Sequence, residues 1–198
     1  MKKPFLFVNI LFLIIFISCA NIAGAIETDH HYQKYKKILK KHNFATPKKI
    51  GMAKFYDSNA KEVYLKDFQS KFIILNFWAN WCVECISELK SLNQLQQKLN
   101  KLKIGDIEII AISDNSIDFE KINNLYHKLN ISDLKLYYDP SRNLMKDFNI
   151  NSPPSTILIN KQNKAFAKFH NTYKFHNTYN WQDPSIVKYI LEIRDQGK

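Results

Sequence analysis

Two cysteines three residues apart are the part of this sequence with the clearest chemistry. Cys82 and Cys85 form a Cys-x-x-Cys pair, and two thiols at this spacing can close a disulfide and open it again. The third cysteine of the chain, Cys19, lies in an N-terminal segment typical of a targeting signal. A Cys-x-x-Cys pair alone is ambiguous, since it also occurs in zinc sites and structural disulfides.

The residues around the pair predict a buried strand that runs into a helix. Residues 72–78 form a continuous apolar run, as expected of a strand buried on both faces. After it, apolar residues recur at three- and four-residue steps and predict an amphipathic helix over about 82–101. A cysteine at a helix N-terminus is stabilised as a thiolate by unpaired N–H groups and the helix dipole. Cys82 is therefore the predicted nucleophile, and Cys85, one turn deeper, the thiol that resolves the mixed disulfide.

Metal binding and simple stapling fit the pair less well. Zinc takes four ligands, or three and a water, and the histidines have no zinc spacing relative to Cys82, so we predict no metal site. As a staple, a bridge closing four residues contributes only about 2 kcal/mol, against about 3 kcal/mol for a loop of about 15 residues. A redox role is favoured, and a module that binds Cu(I) through the two thiolates is the alternative from another class.

Three nearby positions could tune or assist the pair. Glu84 puts negative charge beside the thiols, which favours a reductant, although an acid is also common in a first helical turn. Glu88 lies one turn after Cys85 and could accept its proton, although the residues alone favour a solvated acid there. Pro154 precedes a predicted strand and could form a cis peptide bond, with an ordinary proline-rich turn as the alternative.

The N-terminus predicts export. Lys2 and Lys3 precede an apolar run over 5–17, and Ala23-Gly24-Ala25 is a suitable cleavage site, so we predict a signal peptide over residues 1–25 and a periplasmic protein. An uncleaved inner-membrane anchor and lipid attachment at Cys19 are the alternatives. Cysteine pairs outside the cytoplasm tend to be oxidised. The net charge of +11 comes from dispersed lysines with only two arginines, which indicates a solvated surface, with attraction to an anionic membrane possible, and no nucleic-acid partner.

The rest of the chain predicts a mixed α/β domain. A polar N-terminal segment over 26–48, with a possible short helix over 32–39, precedes a domain over 49–198. The domain is expected to begin with a hairpin (52–56 and 62–65) and to end with a helix that starts at Asp183-Pro184. Between them we expect strands over 107–112, 134–138, 156–159 and 164–169, and helices over 118–129 and 142–148. This order indicates helices flanking a central sheet.

A six-residue repeat lies near the end of the chain. Lys168–Tyr173 recurs unchanged as Lys174–Tyr179. A tolerated duplication in an exposed loop is favoured over a His/Tyr loop that binds a metal or partner.

Residues Asn76–Glu88 resemble the active-site signature of the thioredoxin superfamily, in its exported TlpA/ResA/CcmG-type branch, and Ser152–Asn160 resembles the cis-proline segment, with Pro154 at the cis position. The resemblance implies a thioredoxin fold, a central mixed sheet flanked by helices with an N-terminal β-hairpin extension. Two positions depart from the family pattern. Lys90 replaces a proline in the first helix, and Pro153 replaces a small or apolar residue before the cis proline.

The resemblance also implies an activity and its site. The expected enzyme is a monomeric thiol–disulfide oxidoreductase without a cofactor other than the Cys82–Cys85 disulfide, and a membrane thiol donor would return it to the reduced form. Expected clients are apocytochrome c or a copper-site assembly protein. Glu88 and Pro154 join the cysteines as catalytic residues, and the positions expected to contact clients are Trp81, Val83, Glu84, Pro153 and Ser155. A disulfide oxidant or isomerase is the alternative within the class, and a peroxidase on the same fold is a further one.

Overall fold

The computed structural model describes residues 29, 32–33, 36–37, 43–113, 119–170 and 180–196. The strands are β1 (Asn43–Lys49), β2 (Lys54–Asp57), β3 (Glu62–Tyr64), β4 (Phe72–Trp78), β5 (Ile107–Ser113), β6 (Leu136–Tyr138), β7 (Ser155–Ile159) and β8 (Lys164–His170). The α-helices with described bounds are α1 (Val83–Lys101), α2 (Phe119–Lys128), α3 (Asn143–Asp147) and α4 (Pro184–Gln196), and a 3₁₀ helix spans Leu65–Phe68. The described residues of the possible helix over 32–39 are helical. Residues 1–25 and most of the repeat lie outside the described residues, so those predictions stay predictions.

All eight strands belong to one mixed sheet in the order β1-β8-β7-β4-β5-β6-β2-β3. Strands β4, β5 and β6 run parallel, while β7 is antiparallel to β4. The carboxyl ends of β4, β5 and β6 therefore lie side by side at one end of the strands, where Trp78 pairs with Ser113 and Ser113 with Tyr138. The predicted mixed α/β architecture is confirmed.

Strand β4 is the centre of the fold because all of its side chains are buried. Alternate residues belong to two separate apolar clusters, with Phe72, Ile74 and Trp78 in one and Ile73, Leu75 and Phe77 in the other. The first cluster also contains the apolar sides of α1, α2 and α4, whereas the second contains that of α3. Each leucine of the buried α1 stripe contributes roughly 1.5–3 kcal/mol relative to an exposed position; the stripe consists of Leu89, Leu92, Leu95 and Leu99. Helix α1 is thereby fixed against β4.

The two edges of the sheet differ in how well the sequence predicts them. Strands β2 and β3 form the predicted hairpin, whose turn is closed by backbone N–H groups of Asn59 and Lys61 that donate to Asp57 Oδ1 at 2.8 and 3.0 Å. Strand β1 pairs with β8 at the other edge and was not predicted, because it contains Pro47 and lysines. Proline is tolerated in an edge strand, where one side of the backbone needs no partner.

Helix α4 is held at both of its ends. The Asp183 carboxylate accepts a hydrogen bond from the backbone of Ser185 at 2.8 Å, which confirms the predicted helix start. Near the other end, Arg194 Nη1 lies 3.3 Å from Asp106 Oδ1, and Lys161 Nζ lies 2.7 Å from Asp106 Oδ2. These contacts tie the helix to the start of β5 and to the β7–β8 turn.

Candidate active site at the Cys82–Cys85 disulfide

The two cysteines form a disulfide at the junction of β4 and α1, with an S–S distance of 2.04 Å. The chain turns after β4, where the Cys82 N–H donates to the Ala79 carbonyl at 3.2 Å. Cys82 is the N-cap of α1, and its Sγ accepts a hydrogen bond from the Cys85 N–H at 3.2 Å. Cys82 is 4% exposed and Cys85 is 0% exposed. Cys85 is thus the more deeply buried of the two, and the predicted roles of Cys82 as nucleophile and Cys85 as resolving thiol stay predictions.

The position of Cys82 favours a thiolate whenever the disulfide is reduced. Its sulfur lies at the first turn of a 19-residue helix, facing backbone N–H groups without an intrahelical acceptor. Those groups and the positive end of the helix dipole stabilise negative charge on the sulfur. The chemistry available to the pair is attack by the outer sulfur on a disulfide, followed by closure by the inner one.

Exposed side chains flank the outer sulfur. Trp81 is 65% exposed and Val83 is 79% exposed, although both are large and apolar. Glu84, also exposed, lies in the first turn of α1. Exposed apolar side chains next to a cysteine are suited to contact a polypeptide. The expected role of Trp81 and Val83 in client contact stays a prediction.

The predicted cis peptide bond is present between Pro153 and Pro154. Ser155 follows as the first residue of β7 and pairs with Phe77, one residue before the end of β4. The proline segment therefore lies beside the carboxyl end of β4, where the chain leaves the strand and turns towards the cysteines. Pro154 is buried and Pro153 half-buried, while the Ser155 hydroxyl donates to the Ser152 carbonyl at 2.9 Å. The fold thus brings the sequence-predicted cysteines, prolines and Ser155 together at the carboxyl end of β4.

Glu88 is buried on the inner face of α1, with 2% of its surface exposed. Trp181 Nε1 donates to Glu88 Oε1 at 2.8 Å, and the Thr156 hydroxyl donates to the same oxygen at 3.4 Å. Burial raises the pKa of Glu88 to about 7, although hydrogen bonds from Trp181, Thr156 and Asn76 act in the opposite direction. The interpretation of Glu88 as a solvated acid is wrong, because three other elements of the fold close over it.

Trp181 and Thr156 were not identified from the sequence as neighbours of Glu88. Thr156 pairs in register with Asn76, whose Nδ2 donates to the Thr156 hydroxyl at 2.9 Å. A polar residue within the apolar β4 run was a visible signal for a buried polar contact at Asn76. Trp181 had no such signal, since it lies 93 residues beyond Glu88.

Neither a three-ligand metal cluster nor a spanning helix occurs in the described parts of the chain. Within residues 29–196, apart from the gaps given above, no three His, Cys, Asp or Glu side chains are grouped as metal ligands. No helix among the same residues is long and apolar enough to cross a membrane.

Comparison with known proteins places the chain in a family. The AhpC/TSA family pattern matches residues 26–166. A thiol-disulfide oxidoreductase ResA of Bacillus thuringiensis subsp. konkukian is 29% identical over 112 residues, 57% of this chain and 62% of that protein. The chain thus spans less than two thirds of that relative's length.

Solved structures share the fold. A thiol:disulfide interchange protein of Chlorobium tepidum superposes with a TM-score of 0.57 at 19% identity, covering 75% of this chain and 99% of that one. A secreted disulfide oxidoreductase of Mycobacterium tuberculosis superposes with a TM-score of 0.56 at 15% identity, covering 70% of this chain and 96% of that one. The expected thioredoxin-like fold is confirmed.

Proposed function

The chain belongs to the AhpC/TSA family, within the thioredoxin superfamily, and on that premise we propose that it is an exported thiol–disulfide oxidoreductase that reduces disulfides of client proteins. The observation that carries the proposal is the placement of the Cys82–Cys85 pair. The outer sulfur lies at a helix start beside an exposed apolar rim, and the inner sulfur is fully buried one turn deeper. A purely structural bridge has no need of this asymmetry.

The reaction transfers two electrons from the protein to the client. In the reduced protein, the Cys82 thiolate attacks one sulfur of a client disulfide, forming a mixed disulfide and releasing the first client thiolate. The Cys85 thiol then loses its proton and attacks the Cys82 sulfur, which closes the protein disulfide and releases the second client thiolate. The client gains two electrons and takes up two protons, and the protein is left oxidised.

Glu88 is the proposed acceptor of the Cys85 proton. The carboxyl belongs to the residue one turn beyond Cys85 on the same helix, and its pKa of about 7 suits proton transfer near neutral pH. An ordinary solvated glutamate is a much weaker base, with a pKa of 4.5. The same carboxyl can donate the proton back when the disulfide is reduced again.

The direction of transfer is proposed to be reductive. Glu84 beside the cysteines disfavours the thiolate, and no histidine lies between them to stabilise it. A less stabilised thiolate goes with a less oxidising couple. Regeneration then requires an external dithiol, for which a membrane thiol donor is the proposed source.

The location and clients follow from the proposed export. A signal peptide over residues 1–25, followed by the polar segment and the domain over 49–198, directs the protein to the periplasm, either free or anchored to the inner membrane. The proposed clients are exported apocytochrome c, whose thiols await haem, or a copper-site assembly protein. Trp81, Val83, Glu84, Pro153 and Ser155 form the proposed client contact surface.

Insulin reduction and the reduction potential test the proposal together. The reduced wild-type protein is expected to reduce insulin disulfides, whereas Cys82→Ser is expected to be inactive. The reduction potential of the Cys82–Cys85 pair is measured in equilibrium with a thiol buffer. It is expected to be nearer to about −270 mV, as for thioredoxin, than to about −120 mV, as for a strong oxidant. A potential near about −120 mV would rule out the reductive direction, and insulin reduction by Cys82→Ser would rule out the site.

A further inference from the structure

Trp181 is joined to helix α1 by two hydrogen bonds although it lies outside that helix. Its indole Nε1 donates to Glu88 Oε1 at 2.8 Å, and its backbone N–H donates to Ser91 Oγ at 3.2 Å. Ser91 Oγ in turn donates to the Glu88 carbonyl at 2.9 Å. With 1% of its surface exposed, Trp181 cannot contact a client directly. Any effect of Trp181 on the reaction must pass through the groups it bonds.

The donors around Glu88 form a chain that ends on one oxygen. Asn76 Nδ2 donates to Thr156 Oγ1, and Thr156 Oγ1 and Trp181 Nε1 both donate to Glu88 Oε1. An indole N–H can only donate, so it favours an oxygen that carries negative charge. A hydroxyl can turn and accept instead, and the Thr156 contact is also longer, at 3.4 Å. The indole is therefore the donor that defines where this oxygen lies.

The groups that face Glu88 from other elements are neutral. Strand β4 presents Asn76, β7 presents Thr156, and the segment before α4 presents Trp181. Burial and these hydrogen bonds account for the altered pKa of the carboxyl, with no charged side chain among the causes. The titratable neighbours on its own helix are Cys85 and the exposed Glu84, each about one turn away, and the N-cap Cys82, nearly two turns away. Loss of the indole N–H consequently changes the pKa of the Glu88 carboxyl without altering any ion pair.

We propose that Trp181 is a positioning residue for closure of the Cys82–Cys85 disulfide, acting through Glu88 by fixing its carboxylate oxygen with the indole N–H. This inference rests on the proposed function in one respect, namely that Glu88 takes the Cys85 proton. The hydrogen bond from the Trp181 backbone N–H to Ser91 Oγ ties the residue to the same helix that carries Glu88. Trp181 affects the closing step and leaves the first attack by Cys82 unchanged.

Reaction of the reduced protein with Ellman's reagent separates these two steps. Attack by Cys82 releases one nitrothiobenzoate and leaves the other in a mixed disulfide, and attack by Cys85 then releases the second. In Trp181→Phe, the midpoint of the pH profile of the second release is expected to rise by about one unit, the size expected for loss of one charge-assisted hydrogen bond. The second release at pH 7 is expected to slow about fivefold, since a smaller fraction of Glu88 is ionised. The first release is expected to keep its rate.

Two controls identify the route of the effect. Trp78→Phe makes the same chemical change at a buried indole whose N–H has no acceptor within the described residues, and its pH midpoint is expected to stay in place. In a Glu88→Gln background, adding Trp181→Phe is expected to cause no further change in the second release. An equal effect of Trp181→Phe with and without Glu88 would overturn the proposal, as would slowing of both releases together.

The test remains decisive if Trp181→Phe does not fold. A full chain carrying an analogue of Trp181 with sulfur in place of the indole N–H keeps the ring size and removes only the donor. An unchanged midpoint in this protein would overturn the proposal. Failure of the proposed client reduction appears separately, because Ellman's reagent replaces the client and wild-type insulin reduction is measured on its own.

Discussion

A Glu88→Gln substitution is expected to stabilise the oxidised protein at pH 8 by about 3 kcal/mol and to change its stability at pH 4 very little. The carboxyl has a pKa of about 7 in the folded protein, against an ordinary value of 4.5. The folded protein therefore binds this proton more tightly than the unfolded chain does. The difference of about 2.5 pKa units, at 1.36 kcal/mol each, gives the magnitude. Since Glu88 is 2% exposed, solvent screening does not reduce it appreciably.

The sign of the pH dependence is specific. A carboxyl whose pKa is raised by folding costs nothing below its unfolded pKa, and its cost grows as pH rises from about 4.5 to about 7. Above that range the cost is constant. Denaturant unfolding of wild type and Glu88→Gln from pH 4 to pH 8 measures the difference, in which the other titrating groups cancel. Glu84→Gln, on the exposed side of the same helix, is the control and is expected to change stability by less than about 0.5 kcal/mol throughout. A stability difference for Glu88→Gln that stays constant between pH 4 and pH 8 would refute the reasoning.

Three further predictions concern the rim, the donor chain and the two thiols. Trp81→Ala is expected to lower kcat/KM for reduction of a protein disulfide by about tenfold, as for an exposed aromatic anchor, and to leave the rate with Ellman's reagent unchanged; an equal loss with both substrates would contradict client contact. Thr156→Val is expected to destabilise the protein by about 1–3 kcal/mol in denaturant unfolding, because it removes the acceptor of Asn76 and a donor to Glu88; unchanged stability would show that the donor chain is unimportant. Alkylation of the reduced protein, followed by mass spectrometry, is expected to modify Cys82 at least about tenfold faster than Cys85, and the reverse order would exclude Cys82 as the attacking thiol.

The elements that carry the cysteines could be predicted because their patterns are local. Residues 72–78 are apolar throughout, and the leucines of α1 repeat at helical spacing, so β4 and α1 were predicted within one residue. The cis bond before Pro154 was also predicted, with the help of the resemblance to a known segment. These features depend on residues adjacent in the sequence.

The surroundings of Glu88 could not be predicted in the same way. Its spacing from Cys85 defines a helix face, but not whether another element covers that face. Trp181 covers it from 93 residues away, and the position of Trp181 depends on how α4 packs. Strand β1 was missed for a similar reason, since its composition disfavours a strand and only its pairing with β8 identifies it.

Trapping of clients tests the central claim most directly. A Cys85→Ser variant, expressed in its own cells, retains the attacking thiol and lacks the one that resolves the mixed disulfide. It is expected to hold exported proteins in disulfides to Cys82, identified by mass spectrometry of the cross-linked peptides and released by dithiothreitol. Cys82→Ser, the matched control, is expected to trap none. Equal trapping by the two variants, or cross-links that do not involve Cys82, would contradict the account.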